Sequence, residues 1–302
     1  MAGISLRKKS LLLVLVLILS NELPAQHTFT FNFDNPSETY DMPNDLEEIS
    51  GIYLMDDGRF ACIQDELGII FIYDSSERKV VKEIRFDKDN DYEDIEIIGE
   101  DAYVLEADGD IRWVKNFLSG EVNVVKYETL LRTDNDTEGL TYDPVHETLL
   151  VACKGDPSLK DGPEYKDKRA VYSFSLKTKR LEETPFLLMD LDKLMQMEDM
   201  NALARLSYRL AAALDPNGDV RFQPSAIAIH PETDNIYILS FTSTMLTVFD
   251  RSGNLKNVIA LDKKIFQQPE GMCFDKKGNL FISNEANGGT ANILKFEKIE
   301  KN

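Results

Sequence analysis

Glu93, Glu138 and Glu270 each open a near-identical phrase: Glu93-Asp94-Ile95, Glu138-Gly139-Leu140 and Glu270-Gly271-Met272. Two related phrases begin with serine, Ser50-Gly51-Ile52 and Ser225-Ala226-Ile227. A second set, Glu66, Glu106, Lys154, Thr242 and Glu285, follows the first residues of these phrases by 13 to 17 positions. If both sets converge, three carboxylates meet three more. Left bare, such groups repel and raise one another's pKa. Lys154 can neutralise one, and a bound cation could neutralise others. Hard oxygen donors without nearby His or Cys favour Ca²⁺ over zinc or copper. The same glutamates could instead cap backbone N–H groups of a neighbouring segment, and the two roles can coexist.

Nucleophilic catalysis has little to work with, and no catalytic residue is assigned. Of the three histidines, His27 lies near the N-terminus, and His146 and His230 sit in turns that should fall on the far face from the glutamates. No G-x-S-x-G elbow is present. A hydrolase would have to use a metal as Lewis acid with a carboxylate base. Asp87-Lys88-Asp89-Asn90-Asp91 opens like an EF-hand loop, but Tyr92 stands where glycine is needed and Ile98 where the bidentate glutamate is needed.

The elements that must position these residues follow from the spacing. The first residues of the five phrases lie 43, 45, 87 and 45 positions apart. A period near 44 built from short apolar runs and turn residues marks the blades of a β-propeller. The innermost strand of each blade lines the channel and the next runs antiparallel to it, so both sets of residues should share one mouth. Four repeats show a fourth strand, Val80 to Phe86, Val122 to Tyr127, Leu181 to Leu188 and Leu255 to Leu261; the fifth lacks one. The alternating run Thr28 to Phe33 is predicted to pair with Ile293 to Phe296 and close a five-bladed, all-β ring. Within the 87-residue gap, Leu194, Met197, Leu203, Leu206, Leu210 and Leu214 are spaced as on a helix. A helical insertion over about 190–216 is therefore expected between blades three and four.

Residues 1–26 read as a signal peptide. Arg7, Lys8 and Lys9 precede the apolar run Leu11 to Leu19, which is too short to span a bilayer. Residues 27–302 then form a single domain, periplasmic or extracellular. The formal charge of −19 becomes −21 on removing residues 1–25, with 31 basic against 52 acidic residues remaining. Such a surface repels phosphate backbones and excludes nucleic acid as a partner. Cys62, Cys153 and Cys273 lie in apolar runs of different repeats, as buried free thiols would.

Tyr92-Glu93-Asp94-Ile95, Glu138-Gly139-Leu140-Thr141-Tyr142-Asp143-Pro144, Ala152-Cys153-Lys154-Gly155-Asp156-Pro157, Pro269-Glu270-Gly271-Met272 and Ile282-Ser283-Asn284-Glu285-Ala286-Asn287 together resemble the SdiA-regulated β-propeller family of bacteria. The resemblance runs from about residue 41 to 297, and the family is itself similar to NHL-repeat propellers, which mostly bind partners. It implies a five-bladed propeller, often exported or membrane-anchored, with a calcium site and no established reaction. Carried over, that site is Glu93, Glu138, Glu270, Glu106 and Glu285, with Ser50, Glu66, Lys154, Ser225 and Thr242 completing the mouth. Lys154 stands where the family usually has an acid, and Phe241-Thr242 replaces an acidic pair. The expected function is a monomeric binding module for a protein or small-molecule ligand, with Ca²⁺ at the acidic mouth. The alternatives are a metal-dependent esterase or lactonase, and an interaction protein with no metal.

Overall fold

The computed structural model describes residues 31–160, 162–165, 167–194 and 222–299. Strand β1 (Glu38–Asp41) precedes five four-position blades. Blade one is β2 (Ile49–Leu54), β3 (Arg59–Gln64), β4 (Ile69–Asp74) and β5 (Lys79–Arg85); blade two is β6 (Tyr92–Ile98), β7 (Asp101–Glu106), β8 (Ile111–Lys115) and β9 (Asn123–Tyr127). Blade three holds β10 (Thr137–Asp143), β11 (Thr148–Cys153) and β12 (Lys168–Ser175). Its outer position is split between β13 (Arg180–Leu181) and β14 (Leu187–Asp190), which pair with opposite ends of β12. The expected continuous fourth strand from Leu181 to Leu188 is thus two short ones. Blade four is β15 (Ala226–Ile229), β16 (Ile236–Ser240), β17 (Met245–Phe249) and β18 (Leu255–Ala260). Blade five is β19 (Pro269–Phe274), β20 (Leu280–Asn284) and β21 (Asn292–Phe296), with β1 as its outer strand.

The ring is closed by an N-terminal strand, but not by the expected one. Glu38–Asp41 pairs antiparallel with β21, Tyr40 opposite Ile293. Phe31 and Phe33 lie outside any strand and act through their rings instead. Phe33 packs at 5.4 Å from Phe296, and Phe31 at 6.2 Å from Phe274. The alternation that suggested a strand here serves to bury two rings between blades four and five. The helical insertion expected over about 190–216 falls mostly on residues 195–221, which lie outside the described residues, as do residues 1–30 with Thr28 to Thr30 of the expected closing strand. The described chain before 195 ends in the single turn α1 (Leu191–Leu194).

Each inner strand touches the next round the ring, β2 to β6, β10, β15, β19 and back to β2. The apolar core is divided accordingly into five clusters, one in each cleft between adjacent blades. A strand that is apolar on both faces, such as β11 with every residue buried, follows from that wedge geometry. Cys62 and Cys273 belong to the cluster between blades five and one, Cys153 to that between two and three, and all three are free.

Candidate functional site: the acidic channel mouth

The repeated glutamates stand at β-bulges. Tyr92 pairs with Glu106 and Asp94 with Leu105, leaving Glu93 as the extra residue. Glu138 is likewise extra between the Thr137–Cys153 and Gly139–Ala152 pairs, and Glu270 between Pro269–Asn284 and Gly271–Ser283. In blade one the pairing jumps from Ile49–Gln64 to Ile52–Cys62 across Ser50 and Gly51. A bulge removes a residue from the ladder and re-aims its side chain. Three blades therefore turn a carboxylate toward the same mouth. The residue after it lies where inner strands crowd. A Cβ on Gly51 would sit 2.6 Å from Asp94 Cα, and one on Gly271 would sit 2.5 Å from the Ser50 carbonyl oxygen. Glycine is needed there because the backbones nearly touch.

The carboxylates form one electrostatic network. Burial pushes the Glu93 carboxyl far above its ordinary range, with Glu138 and Asp91 adding repulsion and Lys154 opposing it. Burial, then Glu138 and Glu285, does the same to Glu270. Burial and neighbouring Asp65, Glu48 and Glu138 raise Glu285 to about 7. Glu138 is raised by burial and held down by Lys154, whose ammonium pairs directly with its Oε1. Lys154 also lies 3.9 Å from Asp136 and within reach of Glu270. Among the described residues it is the one cation acting on these four glutamates.

Glu106 does not join this network. It is 1 % exposed and held by Arg112, by Lys126 at 3.2 Å and by the Asn90 amide at 2.8 Å. With Asp108 and Asp110 it forms a group whose oxygens lie within 4.8 Å of one another, a spacing that could hold a metal ion. Lys126 reaches Asp110 as well, at 2.7 Å, so two side-chain cations already balance this triad. Glu66 is exposed, and its neighbour Asp65 is the residue that couples to the mouth, raised to about 6 by burial and by Glu48, Glu66 and Asp91. Thr242 is half-buried in a hydroxyl cluster with Ser240 at 3.3 Å.

Blade-to-blade capping falls to other residues than the bulge glutamates. Ser50 donates to the Tyr92 carbonyl at 3.0 Å and Ser225 to the Pro269 carbonyl at 2.8 Å, each bridging to the next blade. Asp94 accepts from Leu140 N–H at 2.7 Å and Glu96 from Tyr142 N–H at 2.8 Å, tying blade two to blade three inside the channel. Asp94 and Glu96 are not among the residues expected from the sequence to act at the site. The signal was there: Asp94 stands where the other repeats have Gly51, Gly139, Ala226 and Gly271, three glycines and one alanine.

Residues 42–288 match the SdiA-regulated family, and the chain belongs to that family. No curated protein matches the sequence. Among solved structures, the chain is similar to glutaminyl cyclase of Myxococcus xanthus at 11% identity and a TM-score of 0.53, covering 88% of this chain and 97% of that one. A luciferin-regenerating enzyme matches at 10% identity and a TM-score of 0.48, covering 88% and 96%. Virginiamycin B lyase of Staphylococcus aureus matches at 14% identity and a TM-score of 0.44, covering 87% and 74%. At these identities the likeness is one of fold.

Proposed function

We propose that this SdiA-regulated propeller is an exported binding module that takes up a cation at its acidic channel mouth in exchange for protons, with Ca²⁺ as the resident ion. One observation carries the reading: Glu93, Glu138, Glu270 and Glu285 form a repelling network across three blades, and among the described residues the one cation acting on it is Lys154, with the neutral Gln268 amide donating to Glu285. Oxygen donors without sulfur or imidazole suit a hard cation. The Lys154 ammonium against Glu138 is a built-in example of the charge this ring accepts. The four glutamates are not drawn into a tight cage, because among the described residues the group with three carboxylate oxygens inside 4.8 Å is Glu106, Asp108 and Asp110. The mouth therefore fits an ion whose shell of about six to eight oxygens is completed by water. Glu93, Glu270 and Glu285 would hold it while Lys154 stays on Glu138. The ion supplies charge compensation, and the ligand or partner at this face meets a mouth thereby rigidified.

The test is thermal melting with and without millimolar Ca²⁺. The transition should rise in the native chain, and Glu93→Gln or Glu270→Gln should remove most of the increase. Linkage sets the scale at about 2.7 kcal/mol for an ion at a hundred times its Kd. A response absent from the native chain but present in Lys154→Glu would mean that lysine has replaced the metal, and the calcium assignment would fall.

A further inference from the structure

The channel has a second mouth, opposite the glutamates, formed by the distal halves of all five inner strands. It encloses a cavity of about 300 Å³ whose walls include Ile52, Ile95, Leu140, Ala228 and Met272, one from each blade. Glu96 lines it too. That carboxyl is 9 % exposed, and both oxygens accept backbone N–H groups, from Tyr142 at 2.8 Å and Ile97 at 3.1 Å. Among the described residues no side-chain cation pairs with it. Burial holds it at about 7, opposed only by hydrogen bonds from Tyr142, Ile97 and Thr141. Tyr53, within Coulombic reach of Glu96, has its phenol raised by burial and by that charge. A larger cleft of about 630 Å³ between blades one and two shares Tyr53, Ile97 and Lys276 with the cavity. The two adjoin at those residues. Their combined lining carries Asp56, Asp57, Glu96, Glu100, Asp234 and Asp275 against one base, Lys276, which is itself paired to Asp56 at 2.7 Å.

We propose that this mouth is a second binding site, for a small amine with an apolar body: the ammonium rests on the Glu96 carboxylate, and the hydrocarbon part lies along Ile52, Tyr53 and Met272. An anion is repelled by the acidic lining. A wholly apolar ligand leaves a buried carboxyl without the counter-charge that an ammonium supplies. The cleft of about 630 Å³ on the other side of Tyr53 gives room for a chain or ring extending from the amine past that side chain. This site is separate from the acidic mouth and does not depend on Ca²⁺ there.

The experiment is calorimetric titration of the full chain at about pH 8 with 2-phenylethylamine and, as uncharged counterpart, 2-phenylethanol. The amine should bind about tenfold or more tightly than the alcohol, a margin of about 1.4 kcal/mol. Glu96→Gln should reduce the amine to the level of the alcohol. Lys276→Glu, at an exposed rim position where folding is not at stake, should tighten the amine severalfold and leave the alcohol unchanged. Glu93→Gln should alter neither. The proposal is overturned if the amine does not bind saturably, if its preference survives Glu96→Gln, if Lys276→Glu has no effect, or if Glu93→Gln abolishes binding and so moves it to the other mouth.

Discussion

Lys154 carries the positive charge that favours the ionised form of Glu138 inside the acidic mouth against the burial that opposes it. Truncating the lysine leaves a largely buried carboxyl facing Asp136 and Asp91 without compensation. Breaking a fully buried pair costs about 3–5 kcal/mol, and this lysine is partly open to water. Lys154→Ala should therefore lower stability near neutral pH by about 1–3 kcal/mol. Most of that loss should vanish in the Lys154→Ala, Glu138→Gln double variant, as denaturant melts of the four proteins of the cycle would show. If the losses instead add, the pair is not coupled. The bulge glutamates were legible in the sequence because repetition aligns them. Glu106 was not, because its fate depends on Arg112 and Lys126, two strands' side chains that no repeat marks. Glu66 and Asp65 differ by one position at a strand end, and one position decides which of them faces the mouth.

Strand β1 shows what short edge elements conceal. Its four residues, Glu38–Asp41, alternate weakly, with Tyr40 alone buried, and hold their place through ladder hydrogen bonds to β21. Phe31 and Phe33 give the stronger strand pattern yet contribute packing only. The two assignments part in truncation. A chain beginning at Phe31 should keep a monomeric, cooperative fold, whereas one beginning at Met42 should expose the β21 edge and associate. Sedimentation of both would decide, and equal behaviour would remove β1 from the ring closure. Phe33→Ala should cost about 2–4 kcal/mol, since it empties a cluster that includes Phe266 and Phe296. The blade count was read correctly because each inner strand must repeat the same close approach. The split outer position of blade three was hidden, since an outer strand meets no such constraint and its sequence is free to break.

The whole molecule couples its acidity to its fold. Burial holds Glu285 at about 7 and Asp65 at about 6, above their unfolded values near 4.5 and 3.8. A carboxyl raised in the folded state binds a proton that the unfolded chain has released. Its contribution is fully present below the unfolded value and is lost as pH rises through the folded one. Without added cation, the contributions of Glu285 and Asp65 should therefore fall between about pH 4 and 7. Stability should go on falling above pH 7, where Glu93 and Glu270 still hold protons that the unfolded chain has released, in denaturant melts across that range. Ca²⁺ should flatten the fall, acting most at the alkaline end where the carboxylates are ionised. The most direct measurement follows from that exchange. Ca²⁺ is titrated calorimetrically near neutral pH in two buffers of different ionisation enthalpy, which counts the protons released per ion bound. The account predicts saturable binding with net proton release, reduced in Glu93→Gln and in Glu270→Gln. Binding without proton release, or no binding in a chain whose mouth glutamates are intact, would contradict it.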